Sequence, residues 1–340
     1  MSEKRFDNLD GLRTIACFGI ILMHIRANTA FVLPAAMDTF VMSLTHFVAL
    51  FLMISGFGMF CGYYDRFRDG KIDLNSFYTK RYKKILPFFA LLIALDLVID
   101  FSIKHLIEGL TELTLIFGLL PNNEPEVIGV SWTLGVIFLF YMLFPFMVFI
   151  CYTKRRAWIS FGISIALSLF CSFYFFTEKF VIAGFSPRHN FLYCLPWFLA
   201  GGLVYLYIDN IRPFISRIRW VWLLLCIGLS AGWYFTPSYI GDTDIYMLKN
   251  LLMFMPWLMY AVSVRSPILS NKAASFFSSM SLEIYLAHMV CFRVLERLKL
   301  IYIAGRGPLG LIVIWALVVA ILAIAIWIYK YLTGRIFKTK

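Results

Sequence analysis

Charge is scarce in this chain. Asp, Glu, Lys and Arg make up 15% of its 340 residues, against about 25% in a soluble globular domain. Paired cysteines are missing too. The seven Cys form no CxxC spacing and mostly lie inside apolar runs, where a reduced thiol behaves as a small hydrophobe. That excludes a disulfide framework, and no metal is expected. No polar linker, low-complexity stretch or internal repeat interrupts the sequence. The absence of a repeat weighs against a transporter built from two related halves. What the chain does have is oil: 61% apolar residues, with 35 Phe, 18 Tyr and 9 Trp. A soluble core of this length cannot hide that much, and disorder is excluded by the same numbers. The net charge of +12 comes as short clusters between apolar runs, the pattern of a membrane protein rather than of a nucleic-acid module.

A hydrocarbon layer of about 30 Å takes about 20 helical residues. Ten runs meet that length: 11–33, 41–63, 85–103, 131–151, 158–177, 191–208, 220–236, 247–264, 275–295 and 309–330. The expected fold is therefore all-α, a polytopic membrane helical bundle of about ten transmembrane helices, forming one domain over residues 1–340. The run at 107–120 is shorter and reads as amphipathic or re-entrant. The first run is no cleaved signal peptide, since it holds Arg13, His24 and Arg26 and lacks a small-residue cleavage site.

With the N-terminus placed inside, 22 of the 31 basic residues fall on inner segments. They include Lys4 and Arg5, a basic loop at 64–84 with seven Lys or Arg, the Lys154–Arg155–Arg156 cluster, and Arg335, Lys338 and Lys340 in the tail. An excess of cytoplasmic Lys and Arg is the rule for such proteins, so both termini are expected in the cytoplasm. An eleventh span would carry the 154–156 cluster outside. Arg188 and His189, with Arg293, Arg297, Lys299 and Arg306, form a sparse outer basic set, able to meet an anionic acceptor or to decorate loops.

Polar residues inside apolar runs are costly and face cavities or the bundle interior. Arg13 and His24 share the first run, eleven residues or about three turns apart, on nearly one face with an axial gap of roughly 16 Å. From spacing alone His24 is equally a packing histidine or a functional one. Arg81 and Lys84 lie three residues apart and share a face if helical. By position alone, the 64–84 cluster obeys the positive-inside rule and needs no further role.

Five segments, in order, resemble the membrane-bound acyltransferase 3 family. LDGLRTIACFGIILMH resembles its first helix, with an Arg and a His separated by ten residues, here Arg13 and His24. FLMISGFGMF resembles the second, with Ser55, Gly56 and Phe57. KRYKKILP resembles the basic segment before helix three, here Lys80, Arg81, Lys84, Ile85 and Pro87. SWTLGVIFLFYMLFP resembles a Trp-Ser-Leu segment leading into helix four. SLEIYLAHMV resembles a late helix with Tyr285, Leu286 and His288. The chain departs from the family at Lys84, where an Arg is usual, and at Ile137, where many members carry a Glu.

The resemblance implies an O-acyltransferase of a bacterial inner or plasma membrane. It would move an acyl group, usually acetyl from acetyl-CoA, to a hydroxyl of a sugar or cell-envelope glycan. Its partners would be the lipid bilayer, the glycan acceptor and the glycan-assembly machinery, with no nucleic acid. Arg13, Arg81 and Lys84 would then grip the nucleotide phosphates. His24, with a reference pKa near 6.5, suits general-base work. Glu283, Asp96 and Asp38 are candidates to orient it. His288 is a candidate for binding the acceptor or donating to the thioester carbonyl, and His46 ranks behind it. Cys17 lies about two turns from His24, so a covalent acyl-enzyme has no support. Ser55-Gly56 reads as close helix packing. Two other functions fit the composition. A proton-coupled secondary transporter would use the embedded ionisable groups as a path, and a non-catalytic membrane assembly partner would tolerate Ile137.

Overall fold

The computed structural model describes residues 6–120, 127–181, 185–241 and 243–334. Lys4, Arg5, Arg335, Lys338 and Lys340, counted above for sidedness, lie outside the described residues. Among the described residues fifteen α-helices follow one another: α1 (Asn8–Ala27), α2 (Ala35–Ser43), α3 (Phe47–Met59), α4 (Asp65–Arg68), α5 (Leu74–Ile99), α6 (Ile103–Leu113), α7 (Trp132–Ile150), α8 (Lys154–Phe170), α9 (Phe191–Leu206), α10 (Ile208–Arg217), α11 (Arg219–Phe235), α12 (Tyr246–Ser263), α13 (Lys272–Ser278), α14 (Ser281–Arg297) and α15 (Pro308–Leu332). One two-residue antiparallel pair, β1 (Tyr239–Ile240) with β2 (Thr243–Asp244), closes the turn between α11 and α12. The protein is an all-α membrane-type bundle.

Each of the ten apolar runs coincides with helix. Five stretches among the described residues are long and apolar enough to cross a membrane: Asn8–Ala27, Ala35–Arg68, Trp132–Ile150, Lys154–Phe175 and Pro308–Leu332. Two bent pairs raise the number to seven, α9 with α10 at 80° and α13 with α14 at 68°. The expected count of about ten spans is thus not reached on length and apolarity. Local chemistry explains the shortfall. Helix α5 starts well before its apolar stretch, where Asp73 caps it by accepting from the Ser76 amide at 2.8 Å, so Lys80, Arg81, Lys83 and Lys84 ride on the same helix. Helix α11 is apolar but short. The run at 107–120 yields α6, only 11 residues long, with Ile103, Ile107 and Leu110 exposed and Glu112 buried. The segment 64–84, read as a loop, is largely helical through α4 and the start of α5.

The core is set by α1, α3, α9, α12 and α14. Among the described residues helices α3 and α9 make the most extensive contact, and α8 covers α9 from outside. Glycine allows this approach. A methyl on Gly56 would stand 2.0 Å from the Phe198 carbonyl oxygen, and one on Gly201 would stand 2.0 Å from that of Met53. The two backbones touch, as small residues permit in membrane helices. Helix α1 is held against α14 by Cys17, whose Sγ donates to the Ser281 carbonyl, and against α13 by Thr14 and Asp10. Helix α11 lies at the margin on α12, burying only Cys226. It turns Trp220, Val221, Leu224, Leu225 and Ile227 outward.

Candidate active site

At one end of the bundle, cations from two helices converge. Arg13 of α1 lies beside Gly58 of α3 and 4.0 Å from Asp10. Asp10 is also occupied by the Ser278 hydroxyl at 2.7 Å. The Arg81 guanidinium of α5 stacks over Tyr63 at 4.5 Å and faces Tyr141 at 5.2 Å and Phe77 at 5.5 Å. Its Nε is buried without a hydrogen-bond partner. Lys84, one turn on, stands in the field of Arg81, Arg13, Tyr141 and Glu283. Among the described residues, neither Arg81 nor Lys84 forms an ion pair with a carboxylate. Aromatic faces hold the guanidinium by cation–π attraction and leave its N–H fork for another anion.

Further along α1, about three turns from Arg13, His24 meets His288 of α14, with ring centroids 5.1 Å apart. The Nδ1 of His288 bonds the Tyr285 carbonyl. A carbonyl only accepts, so Nδ1 carries the proton and Nε2 the lone pair in the neutral ring. That Nε2 is buried without a partner. His288 therefore accepts at Nε2, and donation to a thioester carbonyl, one of its expected roles, does not follow from this tautomer. The Tyr285 ring lies 5.7 Å from His288 and 5.9 Å from Phe51.

A turn before α9 supplies a third group. Arg188 donates to the Thr45 hydroxyl, packs over Trp132 at 5.5 Å, and stands in electrostatic reach of His24, His46 and Tyr285. Trp132 stacks on His189 at 4.2 Å. His46 is set apart from the histidine pair in an aromatic clamp, 4.5 Å from Tyr246 and 4.8 Å from Trp233. Asn250 holds its Nδ1 at 3.0 Å.

The structure thus assembles Arg13, Arg81 and Lys84 at one end and His24 with His288 further along. It does not place a carboxylate on His24. Glu283 pairs with Lys330 at 3.0 Å, about a turn and a half before His288 on α14. Asp96 pairs with Arg293 at 2.8 Å and Asp38 with Arg26 at 2.6 Å. Among the described residues no carboxylate lies within ion-pair distance of His24. Cys17 is buried in the α1–α14 contact, its Sγ bonded to the Ser281 carbonyl. Sequence reasoning grouped Arg188 only with scattered outer charges and gave Trp132, Thr45 and Tyr285 no role. The Trp-Ser-Leu segment and the SPRHN turn were the available signals.

The model of the acyltransferase domain family Acyl_transf_3 matches residues 6–330. The chain belongs to this family. A protein of Haemophilus influenzae described as an uncharacterized protein is 24% identical over 247 residues, covering 65% of this chain and 98% of its own length. No solved structure matches the chain. The family makes this an integral membrane acyltransferase. Ile137 stands where the resemblance described above leads one to expect a Glu. That side chain is partly buried and packs on the core. No cluster of three or more His, Cys, Asp or Glu able to hold a metal occurs among the described residues.

Proposed function

We propose that the protein moves acetyl from acetyl-CoA to a hydroxyl of a sugar or exported glycan. In this reading the basic end faces the cytoplasm of a bacterial cell, with both termini inside, and Arg13, Arg81 and Lys84 bind the nucleotide phosphates. The carrying observation is the polarity of α1. Arg13 gathers at one end with Arg81 and Lys84, which have no carboxylate partner among the described residues, and a histidine pair lies roughly 16 Å further on, a span that an extended pantetheine arm covers.

His24 takes the acceptor hydroxyl proton as the oxygen attacks the thioester carbon. The carbonyl electron pair moves onto oxygen. On collapse the C–S bond breaks, and the CoA thiolate recovers the proton from His24. His288, its lone pair fixed at Nε2 by the Tyr285 carbonyl and its ring 5.1 Å from that of His24, accepts from the His24 ring N–H in this mechanism once the two rings close to hydrogen-bond distance, and so orients it. It takes the part for which sequence offered a carboxylate. General-base catalysis contributes about 10²–10⁴-fold. His24→Gln keeps hydrogen bonding but accepts no proton. In purified, folded protein it should lower acetyl transfer from labelled acetyl-CoA by about 10²-fold or more. Glycans and lipids from cells lacking the protein, compared by mass with the parent, should lose an acetyl group and so identify the acceptor. A His24→Gln rate within a few-fold of the parent places the base elsewhere. Unchanged glycans and lipids, together with no binding of acetyl-CoA, end the reading.

A further inference from the structure

Arg188 is a cation without a counter-ion. No carboxylate lies within ion-pair distance of it among the described residues, although Arg26, Arg68 and Arg293 each find one. Its Nε is buried and bonds nothing. The residue is half-buried in the turn before α9, and a partly desolvated charge is costly unless an anion answers it. The side chain is nevertheless fixed. The Thr45 hydroxyl takes one guanidinium nitrogen, the Trp132 ring lies against the guanidinium at 5.5 Å, and Cys194 Sγ bonds the Arg188 carbonyl at 3.1 Å. Its field acts on His24, which meets His288, and on Tyr285, whose ring lies 5.7 Å from His288.

We infer that Arg188 is a catalytic residue whose guanidinium receives the negative charge that develops on the acyl oxygen as the acceptor attacks. This rests on the acyl-transfer reading above and deepens it. The electron pair displaced from the carbonyl meets the free edge of Arg188, and it returns to carbon when the C–S bond breaks. A fixed cation costs no reorganisation at that moment, which is why preorganised donors are effective against oxyanions. The affinity for CoA owes little to Arg188, because in this reading the nucleotide contacts lie at the other end of α1.

The test uses acetyl-CoA labelled with ¹³C at the carbonyl, bound to the purified full-length protein and read by isotope-edited infrared spectroscopy. In the parent the bound carbonyl band should lie below that of free acetyl-CoA, because the guanidinium polarises it. In Arg188→Gln the band should return to the free position while the Kd for CoA stays within a few-fold. The transfer rate at saturating donor should fall by about 10²-fold or more. Thr45→Val keeps the charge but loosens its hold, and gives an intermediate band even if Arg188→Gln fails to fold. Equal bands in the parent, Arg188→Gln and Thr45→Val overturn the assignment. So does a raised acceptor KM with unchanged kcat, which would make Arg188 the site for an anionic group on the acceptor. If acetyl-CoA does not bind the parent at all, the acyl-transfer reading falls, and this assignment with it.

Discussion

Replacing Gly56 by alanine tests the α3–α9 crossing at its tightest point. The added methyl would stand 2.0 Å from the Phe198 carbonyl oxygen and 2.9 Å from its carbon, whereas real Cβ contacts essentially never fall below 3.0 Å. The helices must therefore part by about 1 Å, and the obstacle is backbone, which has no rotamer to change. Overpacking costs about 1–3 kcal/mol, and this geometry belongs at the upper end. Alanine's better helix propensity returns up to ~1 kcal/mol. The net loss is about 2 kcal/mol, or roughly a thirtyfold change in the folded-to-unfolded ratio. SDS titration in mixed micelles, followed by circular dichroism, measures it. Gly162→Ala on α8, where nothing lies within 4 Å of the new methyl, is the control and should be neutral or slightly stabilising. Activity should fall as well, because Thr45 lies just before α3 and Arg188 just before α9. Misplacement of a reacting group by about 1 Å can cost 10²-fold. Gly56→Ala protein as stable as Gly162→Ala protein, within about 0.5 kcal/mol, would refute the backbone-contact argument.

Two further outcomes follow from the same structure. Arg81→Ala with Lys84→Ala should raise the KM for acetyl-CoA and leave kcat nearly unchanged, as loss of uniform binding does. Initial rates against donor concentration decide, and a normal donor KM in the folded double variant removes the phosphate assignment. Glu112 lies on α6, which is not among the spanning helices, and its side chain is buried. Burial, with Glu108 beside it, pushes it from 4.5 up to about 8. A carboxyl raised in the fold stabilises it in the protonated form, so the contribution is full below pH 4.5 and is lost as pH rises through 8. Melting between pH 5.5 and 8.5 should show a decline that Glu112→Gln flattens, and equal slopes in both proteins would count against the assignment.

Much of this was legible in the sequence because it rests on period and length. Apolar runs give helices wherever they occur, and each of the ten does. Their number as spans was less legible. Whether Leu74 begins a helix is decided by the Asp73 cap, and whether Leu206 ends one is decided by an 80° bend. The convergence of Arg13, Arg81 and Lys84 follows from two local facts, one end of α1 and an i, i+3 spacing on α5. Glu283 was the harder residue. Sequence sets its depth on α14, but its partner Lys330 comes from the far end of α15, and helix rotation is a packing result. Arg188 and Trp132 were harder still, because both sit at or beside turns, and only tertiary structure brings them together and Arg188 into reach of His24.

The marginal position of α11 carries an evolutionary corollary. Its outward residues answer to little except being oily, so one large apolar residue there is nearly as good as another. Lineages should drift freely along that face, with Cys226 as the fixed point. Around Gly56 and Gly201, by contrast, even a single methyl is closed to them. Alignments of relatives should thus look nearly random at residues 220–227 apart from hydrophobicity, while small residues persist at 56 and 201. Weak overall identity between two members can therefore coexist with a shared site.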